Sequence, residues 1–72
     1  MHIDDWLKER ERRRDEYERL TVRGSALLSI YDQTADPAVF RDIRQNVRAM
    51  DKAYLAWCET DHWGVEYDHT TE

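Results

Sequence analysis

The chain has 72 residues, with 11 Lys and Arg against 16 Asp and Glu, which gives a net charge of −5. A single cysteine excludes an internal disulfide. Two glycines and one proline are too few for a phosphate-binding loop or a multi-stranded β fold. No apolar run in the sequence is long enough to span a membrane. The negative charge argues against non-specific duplex DNA binding, so we do not expect the chain to bind nucleic acid. The length predicts one small domain, which we expect to be cytoplasmic.

The first half of the chain has an apolar period of three and four residues, which predicts a helix from about residue 4 to residue 32. The residues on this line are Ile3, Trp6, Arg10, Arg13, Tyr17, Leu20, Gly24, Leu27 and Tyr31. Asp4 or Asp5 is expected to cap the helix, because a carboxylate accepts hydrogen bonds from the free N–H groups at a helix start. Gly24 keeps the line in phase, so the helix is predicted to continue through it.

Residues 33–36 are predicted to form the turn between two helices. Asp36 is suited to cap the second helix, and Pro37 fits its first position, where a missing N–H has no cost. From there the large apolar residues recur at spacings of 3, 4, 3, 4 and 3, which is the a/d pattern of a heptad repeat. They are Phe40, Ile43, Val47, Met50, Tyr54 and Trp57.

The second helix is predicted to end near residue 62, because Gly64 suits the left-handed residue that closes a helix. Residues 65–72 would then form an acidic tail that is either disordered or folded back on the arginines of the first helix. Residues 1–72 are therefore expected to form one helical-hairpin domain.

The predicted fold is all-α, an antiparallel two-helix hairpin that self-associates into a four-helix bundle or a higher oligomer. Pairing across the turn places Arg13 beside Trp57 and Arg10 near Asp61. Self-association is expected because the chain has more apolar faces than one hairpin can cover; completion of the hairpin by a different protein is the alternative. The residues predicted to pack and self-associate are Leu20, Gly24, Leu27, Leu28, Tyr31, Phe40, Ile43, Val47, Met50, Ala53 and Tyr54.

Two arginine clusters are candidate binding sites. Arg10, Arg13 and Arg14 could bind phosphate or an acidic partner, or could instead pair with Asp61 and Glu59 and stack on Trp57. The second cluster is a basic stripe on the second helix, formed by Arg41, Arg44, Arg48 and Lys52. It is the better candidate for an anion- or partner-binding face, because only Asp42 and Asp51 are near it in the sequence.

Aromatic side chains are predicted to gather where the two chain ends meet. Trp57 and Trp63, with Tyr54, Tyr67 and Trp6, could stack a nucleotide, form the centre of a protein interface, or close the end of a small core. Cys58 and His62 share a helix face, but no metal-ligand spacing accompanies them, so we expect no metal and no cofactor.

No nucleophile–base pair, metal set or phosphate loop is evident, so an enzyme is not expected. The leading hypothesis is a small oligomeric protein that binds a partner protein as a regulator or inhibitor. Its size and its nine arginines against two lysines are compatible with a phage-encoded protein. The alternative is a helical oligomer that binds or sequesters an anionic small molecule such as a cyclic nucleotide. The predicted partner- or ligand-binding residues are Arg41, Arg44, Arg48, Arg10, Arg13, Arg14, Trp57 and Trp63.

Overall fold

A computed structural model describes the backbone of residues 2–71 and the side chains of residues 2–63. Two helices, α1 (Ile3–Thr34) and α2 (Pro37–Thr71), pack along their length as a hairpin with extents of 57 × 15 × 12 Å. The helices run antiparallel, since Trp6 bonds to Thr60 at one end and Tyr31 contacts Phe40 at the other. The predicted all-α hairpin is therefore confirmed. In the part of the chain that is described, neither helix is both long and apolar enough to cross a membrane.

The cap of α1 differs from the prediction. His2, in extended conformation, is the capping residue, and its Nδ1 accepts a hydrogen bond from the backbone N–H of Asp4 at 3.2 Å. The prediction of Asp4 or Asp5 as the cap was wrong because the helix begins earlier, at Ile3. Both carboxylates lie in the first turn, where negative charge favourably opposes the helix dipole.

The connection between the helices is shorter than the predicted turn of residues 33–36, because α1 continues to Thr34. Ala35 has a left-handed backbone (φ 49°, ψ 32°), and its N–H donates to the Tyr31 carbonyl at 2.7 Å. This bond closes the carboxyl end of α1 and reverses the chain within two residues. As predicted, Asp36 caps α2, with its Oδ1 accepting from the Ala38 N–H at 2.9 Å.

The carboxyl end of α2 also differs from the prediction. The helix passes residue 62 and continues through Gly64 to Thr71, so most of the segment predicted as an acidic tail is helical. A single glycine costs a helix only about 1 kcal/mol, and no proline follows to stop it.

The face of α2 that meets α1 is rotated from the predicted heptad line. The residues that are buried or partly buried along this face are Val39, Ile43, Asn46, Met50, Ala53, Trp57 and Thr60. Asn46 and Thr60 are the most covered, with 5% and 0% exposure. Phe40, Val47 and Tyr54, which were predicted to lie in this contact, are 46–49% exposed.

A close approach of the two helices explains this rotation. A Cβ on Gly24 would lie only 2.8 Å from Asn46 Nδ2, and that amide donates to the Leu20 carbonyl at 2.9 Å. Only small and medium side chains of α2 fit this narrow gap, so Asn46, Ala53 and Thr60 face α1. The larger Phe40, Val47 and Tyr54 lie outside the contact. On α1 the predicted line from Trp6 to Tyr31 is partly buried, as expected.

Candidate functional site

The open end of the hairpin, where the start of α1 meets the second half of α2, is held by arginines. Arg10 Nη1 donates to Thr60 Oγ1 at 3.1 Å and pairs with Asp61, as the helix pairing predicted. Its guanidinium carbon lies 5.9 Å from the centre of the Trp57 ring. Arg10 therefore joins α1 to α2 by an ion pair, a hydrogen bond and an aromatic contact at once.

Arg13 makes a second link one turn further along α1. Its Nη1 donates to the Ala56 carbonyl at 2.5 Å and lies 3.3 Å from Glu59 Oε2. The guanidinium lies 4.6 Å from the ring centre of Trp63, not beside Trp57 as predicted. The long Arg13 side chain reaches past Trp57, the residue opposite its backbone, towards the end of α2. The predicted stacking on Trp57 is therefore wrong, and the predicted pairing with Glu59 is confirmed. With 18% exposure, Arg13 is the most covered of the paired arginines.

Glu9 lies between two arginines on the surface of α1. Hydrogen bonds from Arg12 and Arg13 lower the pKa of Glu9 from its usual 4.5 to about 2, and the same pairing raises the pKa of Arg12. Arg14 is more exposed and lies 3.6–3.8 Å from Glu11, Asp15 and Glu18. The predicted basic cluster on α1 is thus neutralised within its own chain.

The aromatic residues of the open end contact one another and the arginines. Trp6 Nε1 donates to the Thr60 carbonyl at 2.8 Å, and the Tyr17 ring lies 5.6 Å from Tyr54 and 6.0 Å from Trp57. Trp57 and Trp63 are partly buried under the arginines, so the described contacts use them to close the hairpin end. The Tyr67 side chain lies outside the described residues.

The basic stripe on α2 contrasts with the arginines of α1. Arg41, Arg44 and Arg48 are exposed, and within the described side chains no carboxylate lies within ion-pair distance of them. They border an open depression of about 310 Å³, together with Phe40 and two other α2 residues. Three uncompensated guanidinium groups beside a half-exposed aromatic ring form a surface that can bind carboxylates or phosphates.

A second surface, which we call the apolar flank, runs beside this stripe. It consists of Leu7 and Leu28 on α1 and of Phe40, Val47 and Tyr54 on α2, all 46–57% exposed. Leu28 and Val47 line one depression of about 220 Å³ between the helices, and Leu7 lines another of about 470 Å³ beside Trp57.

Leu28, Phe40, Val47 and Tyr54 are among the residues predicted to pack and self-associate, and Leu7 is not. The sequence also predicted that Phe40, Val47 and Tyr54 lie in the contact with α1, and this is the part that the structure corrects. The available signal was the parallel line of Asn46, Ala53 and Thr60, whose small or polar side chains suit close contact with Gly24. The adjacent Cys58 thiol, by hydrogen bonding and charge repulsion, raises the pKa of the Tyr54 phenol. A phenol is already neutral at physiological pH at its usual pKa of about 10, and the raised pKa of Tyr54 keeps it so.

Cys58 is partly buried and His62 is exposed. Within the part of the chain that the structure describes, no three His, Cys, Asp or Glu side chains are grouped to hold a metal ion. No family model, curated protein or solved structure matches this chain. Among the side chains of residues 2–63, the basic stripe has no ion-pair partner and the apolar flank is about half exposed, so these two surfaces are the candidate sites.

Proposed function

We propose that this chain is a small non-enzymatic protein that self-associates and binds an acidic partner protein through the basic stripe, acting as a regulator or inhibitor. One observation carries the proposal. Among the described side chains no hydrophobic residue is buried, and nine large ones are at least 40% exposed. A hairpin that shelters so little of its apolar surface gains its stability from a further contact.

The magnitudes support this further contact. Full burial of a Val, Leu or Phe side chain contributes roughly 1.5–3 kcal/mol, and ordering the backbone costs about 1–2 kcal/mol per residue. In a single hairpin the apolar flank remains in water, so its side chains contribute no burial free energy to the stability of the fold. Association through the flank supplies it.

The basic stripe supports an acidic partner. Forming ion pairs with carboxylates does not require Arg41, Arg44 or Arg48 to break a described pair, whereas Arg10 and Arg13 would have to leave Asp61 and Glu59. Guanidinium groups stay protonated at physiological pH and carry no acceptor, so they recognise anions and are unsuited to act as general bases. Binding, as opposed to catalysis, is the chemistry that this surface offers.

The test has two parts. Light scattering at micromolar concentration should give a mass at least twice that of the 8.7 kDa chain; a monomer would refute self-association. Pull-down from lysate of the source cells should lose its main partner when Arg41 and Arg48 are both changed to Glu. The matched control, Lys8→Glu with Arg23→Glu, changes net charge equally on α1 and should retain it; equal recovery by both variants would refute a role for the stripe.

The second candidate function is binding of an anionic small molecule such as a cyclic nucleotide. The depression beside Phe40 favours it, because a base can stack on an aromatic ring while arginines bind its phosphates. Titration calorimetry with a panel of nucleotides tests this function. Saturable binding that is lost in the Arg41→Glu, Arg48→Glu variant would support it, and the absence of heat at millimolar ligand would refute it.

A further inference from the structure

Two charged residues border the apolar flank on α2 and have no partner in the described structure. Arg44 lies three residues before Val47, and Asp51 lies four residues after it. Both are exposed, and among the side chains of residues 2–63 neither takes part in an ion pair. They are seven residues apart, about 10 Å along the helix axis, so they do not neutralise each other.

The apolar residues of α2 in the flank are symmetric about the same point. Phe40 lies seven residues before Val47 and Tyr54 lies seven residues after it, so the three share one side of the helix. Their exposed fractions are 46%, 49% and 48%, so the hairpin covers each of them to the same extent. A two-fold axis through Val47 and perpendicular to α2 would place Phe40 of one copy opposite Tyr54 of the other.

At the level of Val47, the neighbouring surface of α1 has small side chains. Asn46, next to Val47, lies against Gly24, since a Cβ on that glycine would be 2.8 Å from the Asn46 amide. The depression of about 220 Å³ extends to both sides of this level, and Thr21 and Ser25 line it on α1. No large or charged side chain of α1 lines it there, so a second hairpin can approach closely.

The apolar spacing and the two unpaired charges select the same axis. Given the self-association proposed above, we infer that Arg44 of each copy pairs with Asp51 of the other, across an antiparallel contact of two α2 helices centred on Val47. Each dimer then has two such ion pairs at the edge of an apolar contact. Leu7 lies beside Trp57 near the open end and stays outside this contact.

Packing of the same faces with both turns at one end is disfavoured. That arrangement would place α2 of one copy along α1 of the other. Tyr54 is level with Tyr17, so it would lie against the charged side chains of Arg14 and Glu18 of the second copy. Asp51 would also approach that glutamate. Covering charged groups with an aromatic ring removes their hydration, a cost that the antiparallel contact avoids.

The inference divides the basic stripe into two parts. Successive residues of a helix are rotated by about 100°, so Arg44 points only about 40° from the direction of Phe40 and lies beside the flank. Arg41 and Arg48 each follow a flank residue by one position and therefore point about 100° away from it. Arg44 thus contributes to assembly, whereas Arg41 and Arg48 stay accessible to the proposed acidic partner.

Exchange of the two charges tests the inference. Arg44→Asp and Asp51→Arg, made in separate chains, each replace two attractions in the dimer by two repulsions, so each should raise the dissociation constant about tenfold. An equimolar mixture of the two variants should recover the affinity of the unmodified chain, because opposite charges again face each other in the mixed dimer. Sedimentation equilibrium measures the three constants, and recovery in the mixture would also show that both variants are folded.

The matched control is Arg23→Asp with Asp42→Arg, the same charge changes at exposed positions that do not line the depression. Neither control should raise the dissociation constant more than about twofold. Unchanged constants for the test variants, or weakening without recovery in the mixture, would overturn the inference and leave self-association intact. Tighter association of Asp51→Arg alone would also overturn it, since that result indicates the arrangement with both turns at one end. A monomeric unmodified chain would overturn both proposals.

Discussion

The two ends of the hairpin deal with their arginines in opposite ways. At the open end, Arg10 and Arg13 bond to carboxylates, carbonyls and tryptophan rings of the other helix. Near the turn, Arg44 and its neighbours on α2 have no described carboxylate partner. The same residue type thus links the two helices in one region and has no described ion-pair partner in the other. The contrast shows that the density of arginines in the sequence does not by itself tell which of them are paired; the contacts of each side chain do.

We expect the largest effect from a charge placed on the apolar flank, which tests whether the flank is the interface between copies. Val47→Asp should raise the dimer dissociation constant at least 100-fold, about 3 kcal/mol, because association through the apolar flank would bury an unpaired carboxylate. Sedimentation equilibrium measures the constant. Leu55→Asp, on a more exposed position, is the control and should assemble like the unmodified chain. Normal assembly of Val47→Asp would show that the flank is not the interface.

The fastening role of the open end is tested by removing Arg13. Arg13→Ala should lower the free energy of unfolding by about 2–3 kcal/mol, since it removes charge-assisted hydrogen bonds, stacking on Trp63 and the packing of the alkyl stem. Arg13→Lys should recover only part of this loss. Lysine keeps the positive charge and the alkyl stem, but its ammonium cannot form the same forked hydrogen bonds.

Arg19→Ala is the control for the loss of an exposed ion pair. Arg19 is 75% exposed and pairs only with Glu16 among the described residues, so its removal should cost less than about 0.5 kcal/mol. Urea unfolding at one fixed protein concentration compares the three variants. Equal effects of Arg13→Ala and Arg19→Ala would contradict the proposed difference between fastened and surface arginines.

Gly24 lies between the two regions and sets how closely the helices approach. Gly24→Ala gains up to about 1 kcal/mol of helix propensity, but the new Cβ would meet the covered Asn46 amide at 2.8 Å. We expect a net loss of about 1–2 kcal/mol in unfolding free energy. In the Asn46→Ala background the same change should be neutral or stabilising. A double-mutant cycle with no coupling would show that the close contact does not limit stability.

The smallest expected effect concerns pH. Hydrogen bonds from Arg12 lower the pKa of Glu9 to about 2 in the folded chain, below its usual 4.5. Its contribution is therefore present in full above pH 4.5 and is lost as the pH falls from there towards 2. The difference in melting temperature between the unmodified chain and Glu9→Gln should shrink across that window. A difference that is constant with pH would show that the Glu9 pairing is absent in solution.

Much of the fold follows from the sequence, because long periodic segments with a marked turn leave few alternatives. The hairpin, the Asp36 cap, the α1 line and the pairing of Arg10 with Asp61 were all predicted. The rotation of α2 was not. Two neighbouring lines compete there, Phe40 with Val47 and Tyr54, and Asn46 with Ala53 and Thr60, and hydrophobicity favours the first. The outcome depends on the distance between the helices, which Gly24 sets and which no periodicity within one helix encodes.

The candidate sites were predictable to different degrees. The basic stripe follows from spacing alone, because four basic residues recur on adjacent turns of α2. The neutralisation of the α1 arginines was one of two alternatives that the sequence left open, and only the contacts of Arg13 and Arg14 decide between them. Four of the five flank residues were predicted as self-association residues from the sequence, but that Phe40, Val47 and Tyr54 lie outside the contact between the helices follows only from the observed rotation of α2.

The two-residue reversal has a consequence for the mechanics of the hairpin. Ala35 adopts a left-handed backbone, which costs an L-residue with a side chain roughly 1–2 kcal/mol. So short a connection opposes a slip of one helix past the other by a full turn, and it adds to the alignment that the contacts of Arg10, Arg13 and Asn46 maintain. Ala35→Gly would relieve this backbone strain and leave the basic stripe and the apolar flank unchanged. We therefore expect it to raise the free energy of unfolding without altering either surface.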